Sequence, residues 1–182
     1  TLKNTITQEQ YNNNDLTVGS VIVVSGGSHF INKVGKENSY DFGVQAGQKI
    51  TINNLNIDGG ASNLTRSYKT TYNSDHLRGA KGINISNQPL MTIELNNCSI
   101  IHTVYEGMTG GGETTSIIAK GCYFEDSFPS CCNISGKNEI IDGCIIVNPM
   151  AMEMNPSYKD GTQIIRNCTF KSIYSEELNS YI

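Results

Sequence analysis

Ser116-Ile-Ile-Ala-Lys-Gly-Cys-Tyr-Phe124 and Asn138-Glu-Ile-Ile-Asp-Gly-Cys-Ile-Ile146 are one pattern written twice. Thr92-Ile-Glu-Leu-Asn-Asn-Cys-Ser-Ile100 and Thr162-Gln-Ile-Ile-Arg-Asn-Cys-Thr-Phe170 repeat it, and Lys49-Ile-Thr-Ile-Asn-Asn-Leu-Asn-Ile57 carries it with Leu55 in the cysteine place. Before that place stand Asn54, Asn97, Gly121, Gly143 and Asn167, the residue types that tolerate left-handed backbone angles best. Each copy should therefore bend at that residue between two short strands. Period-2 alternation puts Ile52, Leu95, Ala119, Ile141 and Ile165, the cysteines, and Ile57, Ile100, Phe124, Ile146 and Phe170 on one side.

A second ladder runs 12 to 16 residues ahead of the first: Gly43-Val-Gln-Ala46, Gly82-Ile-Asn-Ile85, Gly107-Met-Thr-Gly110, Cys131-Cys-Asn-Ile134 and Ala151-Met-Glu-Met154. The unit is about 22 to 24 residues with three short strands and no helix. It cannot bury its own apolar side and must stack on copies of itself. Stacking at about 4.8 Å per coil lines up Cys98, Cys122, Cys144 and Cys168 as an interior column, where thiols act as small hydrophobes. Six cysteines in a small secreted protein also suggest disulfides, but spacings of 24, 22 and 24 residues favour the column. No CxxC is present, and the three His do not suit zinc.

With 182 residues the chain holds one domain, and charged residues at 16% with 18 Gly disfavour a helical bundle. A net charge of −4 with scattered Lys and Arg gives no basic footprint, so nucleic acid is not an expected partner. The longest aliphatic run is Val21 to Val24, which predicts no membrane span.

The ladders, with Asn at the bend, resemble the right-handed parallel β-helix of the pectate-lyase-like superfamily from Leu16 to Ile173. That resemblance implies an all-β fold, a solenoid of about six coils with three short strands each. The coils read as Leu16 to Ile31, Phe42 to Ile57, Gly82 to His102, Gly107 to Asp126, Cys131 to Val147 and Ala151 to Ser172. Residues 1–15 are expected as an N-terminal cap or linker with a short helix at the capping-type sequence Thr7-Gln-Glu-Gln10, and 174–182 as a tail. A start at Thr1 and so short a tail favour a fragment of a longer chain or an oligomer such as a homotrimer. Families of this architecture include polysaccharide lyases and hydrolases, phage tailspikes that bind or cut surface glycans, and non-catalytic surface domains. The expectations are therefore an extracellular, cell-surface or virion location and a polysaccharide or cell-surface glycan as partner.

Two places suit binding. The insertion 58–81 breaks the coil spacing and carries Asp58, Arg66, Tyr68, Lys69, Tyr72, Asp75, His76 and Arg78, the aromatic and hydrogen-bonding groups a sugar surface uses. The outward row Gln45, Asn84, Thr109, Asn133 and Glu153 would make a shallow polar groove along the stack. Solvent exposure alone explains either feature too.

Catalysis is less well supported. Glu106 and Glu153 should lie roughly two coils apart, longer than the 5 to 9.5 Å of a hydrolytic pair. His102 and Asp126 occupy the same position in adjacent coils, where a His–Asp contact or a plain turn hydrogen bond would suit them. No Asp cluster like the calcium site of pectate lyases occurs, so no cofactor is expected; calcium stays open, with no site for it identified. Three readings stay open: a glycan-recognising domain, a structural or oligomerising module of a fibre, and a polysaccharide lyase or glycoside hydrolase.

Other features have structural explanations. Lys120, Asp142 and Arg166 should form an outward ladder of alternating sign, and Ile118, Ile140 and Ile164 an outward apolar stripe needing cover. Gly110-Gly-Gly112 reads as a turn between strands. The sequons at Asn63, Asn84, Asn97, Asn133 and Asn167 mostly coincide with bends and outward rows.

Overall fold

The computed structural model describes residues 1–13, 19–26, 40–44, 47–65, 81–85, 90–127, 130–147, 151–156 and 160–171. They form an all-β parallel solenoid with one short helix.

Three faces build the stack. Face one carries β2 (Ile22–Gly26), β3 (Tyr40–Val44), β6 (Ile83–Ile85), the first half of β9 (Met108–Lys120), the first half of β11 (Ser130–Asp142) and β13 (Ala151–Pro156). Face two carries β4 (Lys49–Asn53), β7 (Thr92–Asn96), the second halves of β9 and β11, and β14 (Thr162–Arg166). Face three carries β1 (Leu2–Lys3), β5 (Asn56–Asp58), β8 (Ser99–Ile101), β10 (Tyr123–Glu125), β12 (Ile145–Val147) and β15 (Thr169–Lys171). Every pairing in these faces is parallel, and from β7 to β12 each places a repeat residue on its counterpart.

The bend between faces two and three falls where the repeat predicts it. Asn54, Asn97, Gly121, Gly143 and Asn167 have φ of 56°, 53°, 60°, 64° and 55°. Beyond the bend, Cys98, Cys122 and Cys144 are buried and all six cysteines are unpaired. Each thiol of the column donates to a carbonyl of the preceding coil: Cys98 to Ile52, Cys122 to Leu95, Cys144 to Ala119 and Cys168 to Ile141, at 3.4 to 3.6 Å. Cys122, flanked by the Cys144 and Cys98 thiols and buried, is held well above the usual thiol range.

The core is the sum of such columns. On face three Leu2, Ile57, Ile100, Phe124, Ile146 and Phe170 are stacked in register. On face two Ile52, Leu95, Ala119, Ile141 and Ile165 do the same. Ile118, Ile140 and Ile164 point outward and are half-buried, as alternation requires.

Three expectations are corrected. Instead of six consecutive coils there are about three enclosed turns, at 83–101, 108–125 and 130–147, each with strands stacked on both sides. A more open terminal coil follows at 151–171, with Ile165 49% and Phe170 52% exposed. At the other end chain order and stacking order part: β2 lies between β3 and β6, so Ile83 stacks on Ile22, and Tyr40 lies beyond. Segments 22–26 and 49–58 together supply the layer above the first enclosed coil.

The second correction concerns Gly110–Gly112, which lies inside the continuous strand β9, where the chain turns from face one to face two. Gly110 and Gly111 bend it with φ of 96° and 116°. The third concerns the charge ladder, which forms in part. Arg166 meets Asp142 at 2.8 Å, whereas Lys120 reaches Glu94 at 2.9 Å.

The expected helix is present as α1 (Gln8–Asn12), with a complete capping box between Thr7 and Gln10. Its Tyr11 packs with Ile6, Ala61, Val104 and Leu64 in a small second core at the corner between faces three and one. Gln8 clamps the backbone of Thr65 through both its side-chain oxygen and its nitrogen.

Candidate functional site

The site is built where the chain turns from face three into face one. At that corner Gly82 donates its N–H to the Glu106 carbonyl, and Gly107 to that of Ser130. Lys81 and Glu106 therefore hold equivalent places in adjacent coils, and opposite charges stack. Their side chains are 15% and 6% exposed, with Nζ and Oε2 2.9 Å apart. Asn133 Nδ2 donates to Glu106 Oε1 at 2.7 Å. Lys81 also lies 3.5 Å from Thr109 Oγ1 and 5.6 Å from the Tyr105 ring centre. A desolvated pair of this kind is strongly coupled: removing one partner leaves a buried charge at a cost of about 3–5 kcal/mol.

From this corner the outward row runs across the stack. Asn84, Thr109, Asn133 and Glu153 stand in register on β6, β9, β11 and β13. Beside them Gly111, Ser135 and Asn155 form a second outward row, and Asn155 Nδ2 donates to Asn133 Oδ1 at 3.2 Å. Thr109 is buried, whereas Asn84, Asn133, Ser135 and Asn155 are at least partly exposed and carry groups that both donate and accept. Chemically, face one can hydrogen-bond hydroxyl groups along the solenoid axis.

Asp58 does different work. It ends β5, and its Oδ1 accepts the Gly60 N–H at 2.8 Å and lies 3.6 Å from His102 Nδ1, while Oδ2 lies 3.2 Å from Lys3 Nζ. These contacts tie the start of the insertion to the corner, so Asp58 belongs to the scaffold. His102 and Asp126 do occupy equivalent places with the same φ of 52°, and the carboxylate near His102 Nδ1 is that of Asp58.

The structure thus brings Asn84, Thr109, Asn133 and Glu106 together, with the Glu153 backbone completing the row. Gln45, Arg66, Tyr68, Lys69, Tyr72, Asp75, His76 and Arg78 lie outside the described residues. In the column where Gln45 was expected, Val23 and Asp41 stack on Asn84. The two coils expected between Glu106 and Glu153 match the two strand steps from β9 through β11 to β13.

Sequence reading misses the role of Lys81, although the second ladder aligns Gly82 with Gly107 and so sets Lys81 beside Glu106. It also misses Glu94, which is bonded by Lys49 and Lys120 on face two. Those two ammonium groups hold the Glu94 carboxyl down at about 2. All three charges of that cluster fall within the quoted repeats, so column alignment could have found it.

Among the described residues no group of three His, Cys, Asp or Glu side chains is arranged to hold a metal ion. Among them, too, no helix is long and apolar enough to cross a membrane. No family model, curated protein or solved structure matches the chain.

Proposed function

We propose that the protein is a glycan-recognising domain of a secreted, cell-surface or virion protein, built on a right-handed parallel β-helix of the pectate-lyase-like kind. The observation that carries this reading is the in-register polar row of face one, Asn84, Thr109 and Asn133, beside the row of Gly111, Ser135 and Asn155. An extended polysaccharide offers hydroxyl groups at a regular repeat, and a row repeating every coil, about 4.8 Å, presents partners at comparable intervals. The Lys81–Glu106 pair neutralises itself, so the corner adds donors and acceptors without a net charge. The insertion, which starts at this corner, brings Tyr68, Tyr72 and several charged groups in sequence next to the row.

The test is a glycan array probed with the intact chain and with a variant in which only 66–80 is replaced by a Gly/Ser turn. Asp58 to Thr65 is kept, because Ala61, Leu64 and Thr65 hold helix α1. Circular dichroism checks that both fold. Binding lost only in the variant supports recognition through the insertion, and binding by neither contradicts the proposal.

A second reading, a structural module of a fibre, is favoured by a different observation. Ile118, Ile140 and Ile164 form an outward stripe that leads to the open coil end at Ile165 and Phe170. A molar mass of several chains in solution would support it.

A further inference from the structure

The inward columns are apolar with one acidic interruption. Ile50, Ile93 and Ile117 are followed in register by Glu139 and then Gln163. Glu139 is 0% exposed. Its Oε2 accepts from Gln163 Nε2 at 2.8 Å, and the same nitrogen donates to the Met154 carbonyl at 3.1 Å. Its Oε1 meets no donor in hydrogen-bonding geometry. One carboxyl thus links the last enclosed coil to both β13 and β14 of the terminal coil.

The surroundings favour a neutral acid. β9 offers it Ile117, β14 offers Gln163, and β13 contributes the Met154 carbonyl through Gln163. The described ionisable residues of β9, β11 and β14 besides Glu139, namely Lys120, Cys131, Cys132, Lys137, Asp142 and Arg166, add nothing to its titration. Burial pushes the carboxyl above its ordinary value of 4.5, against the Gln163 amide and the Gly136 backbone, which favour the charge. A carboxylate formed here lies against a closed coil on one side, where Ile117 is 0% exposed. On its other side is the open terminal coil, whose Ile165 and Phe170 are about half exposed.

We propose that Glu139 is a proton-operated latch: while protonated it seats strands β13 and β14 of the terminal coil, and on ionisation β14 lifts so that water reaches the carboxylate. The sign follows from linkage. An acid whose folded value is raised contributes stability that is complete below its ordinary value and is lost as pH rises through the folded value.

Hydrogen exchange read by mass spectrometry on the intact chain at about pH 5 and about pH 8, corrected for intrinsic rates, tests this. Protection of 162–171 should fall by roughly tenfold or more at the higher pH while 92–101 stays protected, and Glu139→Gln should remove the difference. Equal protection at both values, or a difference that survives in Glu139→Gln, would overturn the latch. Carbon-13 titration of the glutamate carboxyls in the wild-type chain does not depend on the variant folding. One carboxyl should hold its proton above the ordinary glutamate range, and a spectrum in which none titrates above that range would equally overturn it.

Discussion

At the scale of single residues, the fold rests on side chains that permit a backbone angle and on places with no room for a side chain at all. Gly143 and Gly111 separate the two effects. Both have positive φ, 64° and 116°. A Cβ on Gly143 would meet nothing closer than the Gly121 nitrogen at 3.9 Å, whereas on Gly111 it would lie 2.0 Å from the Ser135 carbonyl oxygen. Gly143→Ala should therefore cost only the left-handed strain, about 1–2 kcal/mol. Gly111→Ala must move the β9–β11 pairing and should lower stability by clearly more. Urea unfolding of both variants checks this, and equal losses would count against the clash. The bend residues are readable from sequence because Asn and Gly recur at one phase of one period. Glu139 is readable in the same way, since it stands where the neighbouring copies carry Ile93 and Ile117. The Lys81–Glu106 adjacency is readable too, from the residues before the aligned Gly82 and Gly107, but its burial and the Asn133 contact are not, because they depend on side-chain directions at a corner where alternation stops.

At the scale of elements, strand β4 shows how an edge is held. It pairs only with β7 among the described strands, and Lys49 at its start bonds Glu94 together with Lys120 from β9. Glu94, held at about 2 against an ordinary 4.5, contributes stability that is present above its ordinary value and is lost as pH falls from about 4.5 towards about 2. Acid unfolding in that window should flatten in Glu94→Gln, and parallel wild-type and variant profiles would show that the cluster does not couple to folding. Strand β3 is the element the repeat misplaces. Gly43-Val-Gln-Ala46 fits the pattern of the second ladder, but periodicity reports phase within a coil and says nothing about the order in which strands are stacked. The aliphatic Val21 to Val24 run takes the place beside β6, with Val21, Ile22 and Val24 fully buried.

At the scale of the whole molecule, a parallel solenoid converts a sequence repeat into straight rows on its outside as well as columns on its inside. The inside rows are fixed by burial and so are legible in the sequence. The outside rows are legible as positions, but not as function, because a soluble sheet and a sugar-binding sheet both need polar residues there. What distinguishes face one is its row of exposed and half-exposed amides beside the buried, self-neutralised Lys81–Glu106 corner. The most direct measurement is calorimetric titration, with a glycan found on the array, of the intact chain, of Asn84→Ala/Asn155→Ala on face one, and of Ile118→Ser on face two. Asn84 and Asn155 are chosen because neither is buried. A recognition face predicts that the first variant binds at least roughly tenfold more weakly, about 1.4 kcal/mol, while the second binds like the intact chain. Undiminished binding by the face-one variant would contradict it.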